Sequence, residues 1–312
     1  MLRTCDSGFD AAAAISQGRR DHQEDALITD FPIGSDMGFV VLSDGMGGHA
    51  AGDVASKIAV TEVFSELKLR SGNVAAFEDG APQILCEVAH AANACIRAHS
   101  QGQAETRGMG ATLLALAFVK DRLFWISVGD SPLYLFRDGA LRQINEDHSA
   151  GPQIDMLARA GRMTEEEARA HPDRNCLTSV LCGGDIPRID CPAEPLALLE
   201  DDLLIAASDG LQFLPHDVIG EILKVHRYKT SREIAHALLD ALRQQDYDDQ
   251  DNVALSVVRA APPRFAEHTL PDTAEARFIP EHRDAGTAAA RRPSLMRGLF
   301  SLRGLAFSRN EG

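Results

Sequence analysis

The first 259 residues of this 312-residue chain hold no cluster of Lys and Arg, and the formal charge of the whole is −15. Neutralising a phosphate backbone requires such clusters, so a general nucleic-acid binder is excluded. The six cysteines (Cys5, Cys86, Cys95, Cys176, Cys182 and Cys191) form no C-x-x-C pair and no zinc spacing. A zinc module is thereby set aside, and the expectation is a reduced, cytoplasmic protein whose cysteines serve packing. No long apolar segment follows Met1, and the longest apolar stretch, near Ala111 to Val119, is far too short to cross a bilayer. What remains is a globular chain with enough apolar residues for a substantial core, as one large domain or two ordinary ones.

The most informative stretch is Val40 to Asp53, where an apolar run meets an acid and then a cluster of glycines. Phe39 to Leu42 read as a buried strand, with Asp44, Gly45, Gly47 and Gly48 as the tight turn that ends it. Ala50, Ala51, Val54, Ala55, Ile58, Ala59, Val63, Phe64 and Leu67 then recur at helical spacing. Glycine permits close approach, so the Asp44 carboxylate and a neighbouring backbone carbonyl can face one hard cation. By itself Asp44 is also what an ordinary surface Asp-Gly turn offers.

Ahead of this stretch, strands are expected at Ala11 to Ser16 and Ala26 to Phe31, and between them lies Arg19-Arg20-Asp21-His22-Gln23-Glu24-Asp25, a pattern that alone also fits a solvated turn. Helices are expected at His49 to Lys68 and Pro82 to Ala98. Four apolar runs follow, Ala111 to Val119, Leu123 to Val128, Leu133 to Arg137 and Leu141 to Ile144, split by Lys120-Asp121, Gly129-Asp130 and Asp138-Gly139. Their spacing leaves no room for crossover helices, so the pattern predicts an antiparallel meander in a β-sheet protein that carries helices. Beyond it, helices are expected at Gln153 to Arg159 and Thr164 to Ala170, the second opened by a Thr164/Glu167 capping box. The strand Leu203 to Ala207 again delivers an Asp-Gly, at Asp209-Gly210. Helices at His216 to Lys224 and Ser231 to Gln245, then Asp251-Asn252 before a strand at Val253 to Val258, complete the pattern.

Glu24, Asp25, Asp44, Asp130, Asp209 and Asp251 thus all lie at strand ends or in glycine turns. Two carboxylates about 4 Å apart repel by roughly 4 kcal/mol at an effective dielectric near 20, so convergence would imply bound cations. All-oxygen ligands select Mg²⁺ or Mn²⁺ over zinc. Two such ions can share and deprotonate a water for in-line displacement at phosphorus, with Arg20 gripping the phosphate oxygens as a bidentate fork.

Seven motifs occur together and in order: R-x-x-Q-E-D at Arg20 to Asp25, V-L-S-D-G-M-G-G-H at Val41 to His49, G-A-T-L at Gly110 to Leu113, V-G-D-S at Val128 to Ser131, D-H-S at Asp147 to Ser149, A-S-D-G-L at Ala207 to Leu211 and D-N-V at Asp251 to Val253. This set resembles the metal-dependent serine/threonine protein phosphatases of the protein phosphatase 2C-like family, in their bacterial form, over about residues 11 to 259. The resemblance implies an α+β fold, a four-layer α-β-β-α sandwich of two antiparallel sheets flanked by helices. It implies two Mg²⁺ or Mn²⁺ ions, bridged by Asp44 with help from the Gly45 carbonyl. Glu24 and Asp25 would serve one side, one as ligand and one through water, while Asp209 and Asp251 complete the other metal. Asp130 would join Asp209 on a third, weaker ion, and Arg20 would bind the substrate phosphate. Thr164 to Asp185, within a segment of about 150–188, is similar to the mobile flap of bacterial members. Phosphorylated proteins and a cognate Ser/Thr kinase are the implied partners.

One position departs from the eukaryotic pattern, which places a proton-donating histidine directly after the Asp-Gly; Met46 stands there, so the proton donor stays unassigned, with His49 three residues on. Gln212 and Phe213 after the second Asp-Gly are also unusual. A binding module without turnover and a phosphatase of small phosphoesters are the rival readings. No Gly-Lys-Ser/Thr follows G-M-G-G-H, which excludes a nucleotide P-loop. His148 and His171 read as hydrogen-bonded turn residues and Trp125 as core.

Composition changes near Ala261: residues 260–312 hold eight Arg, no Lys and six acids, a charge of +2 that leaves −17 on residues 1–259. A domain at 1–260 and a disordered tail at 261–312 are expected. Arg291-Arg292-Pro293-Ser294-Leu295 resembles a basophilic kinase site with Ser294 as acceptor. Leu295, Leu299, Leu302 and Ala306 share one helical face beside Arg297, Arg303 and Arg309, suited to an anionic membrane or partner, although Gly298 and Gly304 weaken the helix.

Overall fold

The computed structural model describes residues 8–48 and 50–260. The chain opens with β1 (Phe9–Ser16), β2 (Asp25–Asp30) and β3 (Met37–Met46), then runs through the helices α1 (Ala50–Arg70) and α2 (Val74–Gly102). The strands β4 (Gly110–Ala111), β5 (Leu113–Val119), β6 (Arg122–Val128), β7 (Leu133–Arg137) and β8 (Ala140–Gln143) follow. Two short helices, α3 (Gly151–Arg159) and α4 (Glu165–Arg169), lead to β9 (Leu196–Ala197) and β10 (Leu203–Ala207), and α5 (His216–His226), α6 (Ser231–Gln245) and β11 (Val253–Ala260) complete the order.

One sheet has the order β1-β11-β10-β7-β8, and the other β2-β3-β5-β6-β9 with β4 paired to β3. Every neighbouring pair is antiparallel. The two sheets pack face to face through Val40, Leu42, Leu114, Leu116 and Phe118 on one side and Leu135, Leu204, Ala206 and Val258 on the other. The alternate residues of the same strands point outward to helices. Phe39, Val41 and Ala115 meet α1 and α2 at Ala55, Val63, Phe77 and Leu85. Leu203, Ile205 and Leu255 meet α5 and α6 at Ile219, Ile234 and Leu238. Because the central strands are covered on both faces, they read as unbroken apolar runs rather than alternating ones. The architecture is the α-β-β-α sandwich.

Three expectations change. First, β3 does not end at Leu42: it continues through Asp44 and Gly45 to Met46, because Gly45 and Met46 pair with Ala111 and Gly110 of β4. The turn is Gly47-Gly48. Second, the four apolar runs do not make one meander. β5 and β6 belong to one sheet and β7 and β8 to the other, so the chain crosses between sheets at Gly129 to Pro132, with Gly129 at φ +109°. Third, α2 starts at Val74 rather than Pro82. Asn73 caps it by accepting from the Ala76 N–H at 3.2 Å, and Pro82 lies inside the helix. The capping box of Thr164 with Glu167 is present at α4. His49 and the expectations for 261–312, Ser294 included, lie outside the described residues. Among the described residues no helix is long and apolar enough to cross a membrane.

Candidate active site

Strand ends from both sheets meet at one end of the sandwich. Asp25 and Asp44 face each other in the register of β2 and β3. Asp44 is held by its backbone: its N–H donates to Thr112 Oγ1 at 2.9 Å, and its carbonyl accepts from the Thr112 N–H at 2.8 Å. Thr112 Oγ1 in turn bonds Ser131 Oγ at 2.9 Å, which ties the Asp44 strand to the sheet crossing that carries Asp130. From the other sheet, Ser208 Oγ donates to Asp25 Oδ2 at 2.8 Å and accepts from the Ala254 N–H at 3.0 Å. Asn252 Oδ1 accepts from the Glu24 N–H at 2.7 Å. Arg20 Nη2 donates to Asp251 Oδ2 at 2.6 Å, across 231 residues of sequence.

Backbone closeness explains the glycines beside the acids. A Cβ on Gly45 would lie 2.0 Å from the Gly52 carbonyl oxygen, and one on Gly210 would lie 1.9 Å from the Asn252 carbonyl oxygen. Only a residue without a side chain lets these strands and the helix approach so closely.

The resulting cleft is about 500 Å³ and is lined by Arg20, Glu24, Asp44, Gly45, Asp130, Asp209 and Asp251, among others. Asp25 lies beneath it, 4% exposed. The acids pay for their convergence electrostatically. Burial, then the charges of Asp209 and Asp251, push the Asp25 carboxyl up to about 7. Burial and the charges of Asp25 and Asp209 hold Asp44 well above its usual range. Burial and the Asp209 charge push Asp130 up to about 7, and burial with the Asp251 charge raises Asp209. Asp25 Oδ1 and Asp209 Oδ1 are buried without a hydrogen-bond partner. Unsatisfied oxygens amid mutually repelling carboxylates fit hard divalent cations, which supply both the missing partner and the opposite charge. Among the described residues no three acid, imidazole or thiol side chains are already placed to hold a metal ion by themselves. Mg²⁺ and Mn²⁺ do not require such a group, since one or two carboxylates per ion can be completed by water and backbone carbonyls.

Every site residue named from the sequence within the described region comes to this end of the fold, with Asp25 in the floor rather than the lining. Arg20 lines the cleft while paired to Asp251. Met46 also lines it, and its thioether has no proton to donate. Thr112, Ser131, Ser208 and Asn252, one in each of four of the seven motifs, hold the acids in place. Their hydroxyls and amide work on partners far along the chain, which no local pattern reveals. Asn175 and Leu177, from the segment after α4, form part of the cleft wall. His148 is fully buried, and its Nδ1 accepts from the Gly129 N–H at 3.2 Å, the expected turn role. Trp125 is core and donates to Asp190 Oδ2 at 3.1 Å.

Comparison with known proteins follows the same lines. The family model described as protein phosphatase 2C matches residues 17–251. A serine/threonine phosphatase, stp, of Listeria monocytogenes serotype 4b is 32% identical over 222 residues, covering 70% of this chain and 83% of that protein. The crystal structure of the Mycobacterium tuberculosis serine/threonine phosphatase PstP/Ppp superposes with a TM-score of 0.67 at 29% identity, covering 81% of this chain and 99% of that one. The catalytic domain of PstP in complex with two manganese ions gives 0.62 at 30% identity, covering 80% and 97%. The fold, the motif order and these likenesses agree: the chain belongs to the protein phosphatase 2C family.

Proposed function

We propose that this protein is a metal-dependent serine/threonine protein phosphatase acting on phosphorylated proteins. The observation that carries the reading is the cluster of buried acids with unpartnered oxygens, set beside Arg20 in one cleft. Asp44 would serve both ions and the Gly45 carbonyl would add to the set, with Glu24 and Asp25 on one side, one as ligand and one through water, and Asp209 and Asp251 on the other. Asp130 with Asp209 would hold a third. Two Mg²⁺ or Mn²⁺ ions, when bound, neutralise the acids and make a water nucleophilic at neutral pH. The guanidinium of Arg20, held at Nη2 by Asp251, offers its remaining N–H groups to phosphate oxygens and orients the ester for in-line attack. Thr112 and Ser131 keep Asp44 and the Asp130 turn in mutual register, and Asn252 keeps Glu24 over the same cleft. A recognition module without turnover would have no use for these acids, whose repulsion destabilises the metal-free fold.

The catalytic domain is assigned to residues 1–260, with 261–312 as a tail that catalysis does not require. The flap at about 150–188 borders the cleft through Asn175 and Leu177. The same proposal includes a cytoplasmic signalling role opposite a Ser/Thr kinase, the kind of enzyme that would make such a substrate. Hydrolysis of a phosphothreonine peptide should require Mn²⁺ or Mg²⁺ and stop with chelator. Asp44→Asn and Asp209→Asn should each lower kcat/KM by at least about 100-fold, and truncation after Ala260 should leave kcat unchanged. Turnover that survives chelation would refute the metal reading, and a large loss of kcat on truncation would refute the domain boundary.

A further inference from the structure

A second cavity, of about 520 Å³, shares Asp130, Asn175 and Asp209 with the active-site cleft, so the two are contiguous. One wall is aromatic: Phe213 and Tyr247 place their ring centroids 5.7 Å apart at 60°. Phe213 follows the second Asp-Gly, and Tyr247, which follows α6, is 39% exposed. Asp147 and Asp249 add carboxylates to the lining. Asp147 is fixed by the Ser149 N–H, which donates to its Oδ1 at 2.7 Å. The single cationic side chain of the lining, Arg174, is engaged at both Nη atoms by Asp155, at 2.6 and 3.0 Å. Its charge is thus shared between Asp155, which it grips, and Asp147, which it also attracts.

We propose that this cavity binds a cationic side chain, Arg or Lys, of the phosphorylated substrate, close in sequence to the phosphorylated residue. The inference rests on the phosphatase reading and adds its substrate class. The cleft would take the phosphate at Arg20, while the neighbouring cavity offers the opposite chemistry, an aromatic face over which a cation is attracted and carboxylates that pair with it. Cations bound at Asp130 and Asp209 would leave Asp249 to face the occupant, together with Asp147, whose charge Arg174 offsets in part. An acidic side chain would be repelled by Asp249 and Asp147, and an aliphatic one would desolvate both carboxylates with nothing in return.

The test uses the full chain with Mn²⁺ and phosphothreonine peptides identical except for Arg, Ala or Glu at the positions flanking the phosphoresidue. Arg-flanked peptides should exceed Glu-flanked ones in kcat/KM by about tenfold or more. Asp249→Lys should reverse that order, and Tyr247→Ala should shrink the Arg-to-Ala ratio. Equal kcat/KM for all three peptides, or an order unmoved by Asp249→Lys, would overturn the proposal. Binding of the same peptides, read by fluorescence anisotropy, separates the two layers of the argument. Arg preference in binding without turnover would uphold the cavity and overturn the phosphatase reading, whereas equal affinity would overturn the cavity.

Discussion

Asp25 is the acid whose presence is hardest to justify by stability. It is 4% exposed, one oxygen accepts from Ser208 Oγ, and the other has no hydrogen-bond partner. Burial and neighbouring acids raise its pKa from 3.8 to about 7. In that window the folded state binds more protons than the unfolded chain, so stability must fall as pH rises from about 4 to 7. Above 7 the penalty is fully present, and below 3.8 it vanishes. At 1.36 kcal/mol per pH unit the displacement amounts to about 4 kcal/mol at pH 8. Asp44 and Asp209 share the same repulsion, so replacing one carboxyl should recover about 2–4 kcal/mol. Asp25→Asn keeps the shape and the acceptor for Ser208 but cannot ionise. In EDTA at pH 8 the variant should therefore melt roughly 5–15 °C above the wild type. At pH 4 the two should converge. Saturating Mn²⁺ should raise the Tm of the wild type more than that of the variant, because the cation supplies the charge that the variant no longer needs. Thermal unfolding followed by circular dichroism at pH 4, 6 and 8, with EDTA or Mn²⁺, reads all of this. A metal-free variant no more stable than the wild type at pH 8, or a wild-type Tm indifferent to pH between 4 and 8, would refute the electrostatic argument.

Two other substitutions probe how the site is held. Thr112→Val removes the acceptor of the Asp44 N–H and the partner of Ser131 in a position that is 1% exposed, and should cost about 1–3 kcal/mol in urea unfolding. Because Asp44 loses its register, Mn²⁺ affinity measured by calorimetry should also fall, by about 10–100-fold; unchanged affinity would show that Thr112 serves folding alone. Gly210→Ala drives a Cβ into the Asn252 carbonyl oxygen, and backbone cannot yield as a flexible side chain would. A stability loss of about 1–3 kcal/mol is expected, with a lowered kcat as Asn252 shifts from the Glu24 N–H; wild-type Tm and kcat would disprove the close approach.

Much of this was legible from sequence because it is local chemistry. Apolar runs closed by Asp-Gly marked β3 and β10 and the acids they deliver, helical periodicity marked α1, α5 and α6, and the Thr164/Glu167 cap needed only four residues to declare itself. The motif order carried the family and therefore the fold. Tertiary structure decided what depends on partners distant in the chain. Hairpin spacing looks the same whether the next strand stays in the sheet or leaves it, so only packing revealed the crossing at Gly129 to Pro132 that brings Asp130 to the other acids. The glycines that seemed to end β3 are partly inside it, because β4 pairs there. That Arg20 is braced by Asp251, that Ser208 holds Asp25 and that Asp25 lies under the cleft rather than in it are contacts between residues separated by 180 positions or more. Sequence determines which groups can ionise and which segments form strands; burial and convergence, which move the pKa values and create the demand for cations, exist only once both sheets are closed on each other.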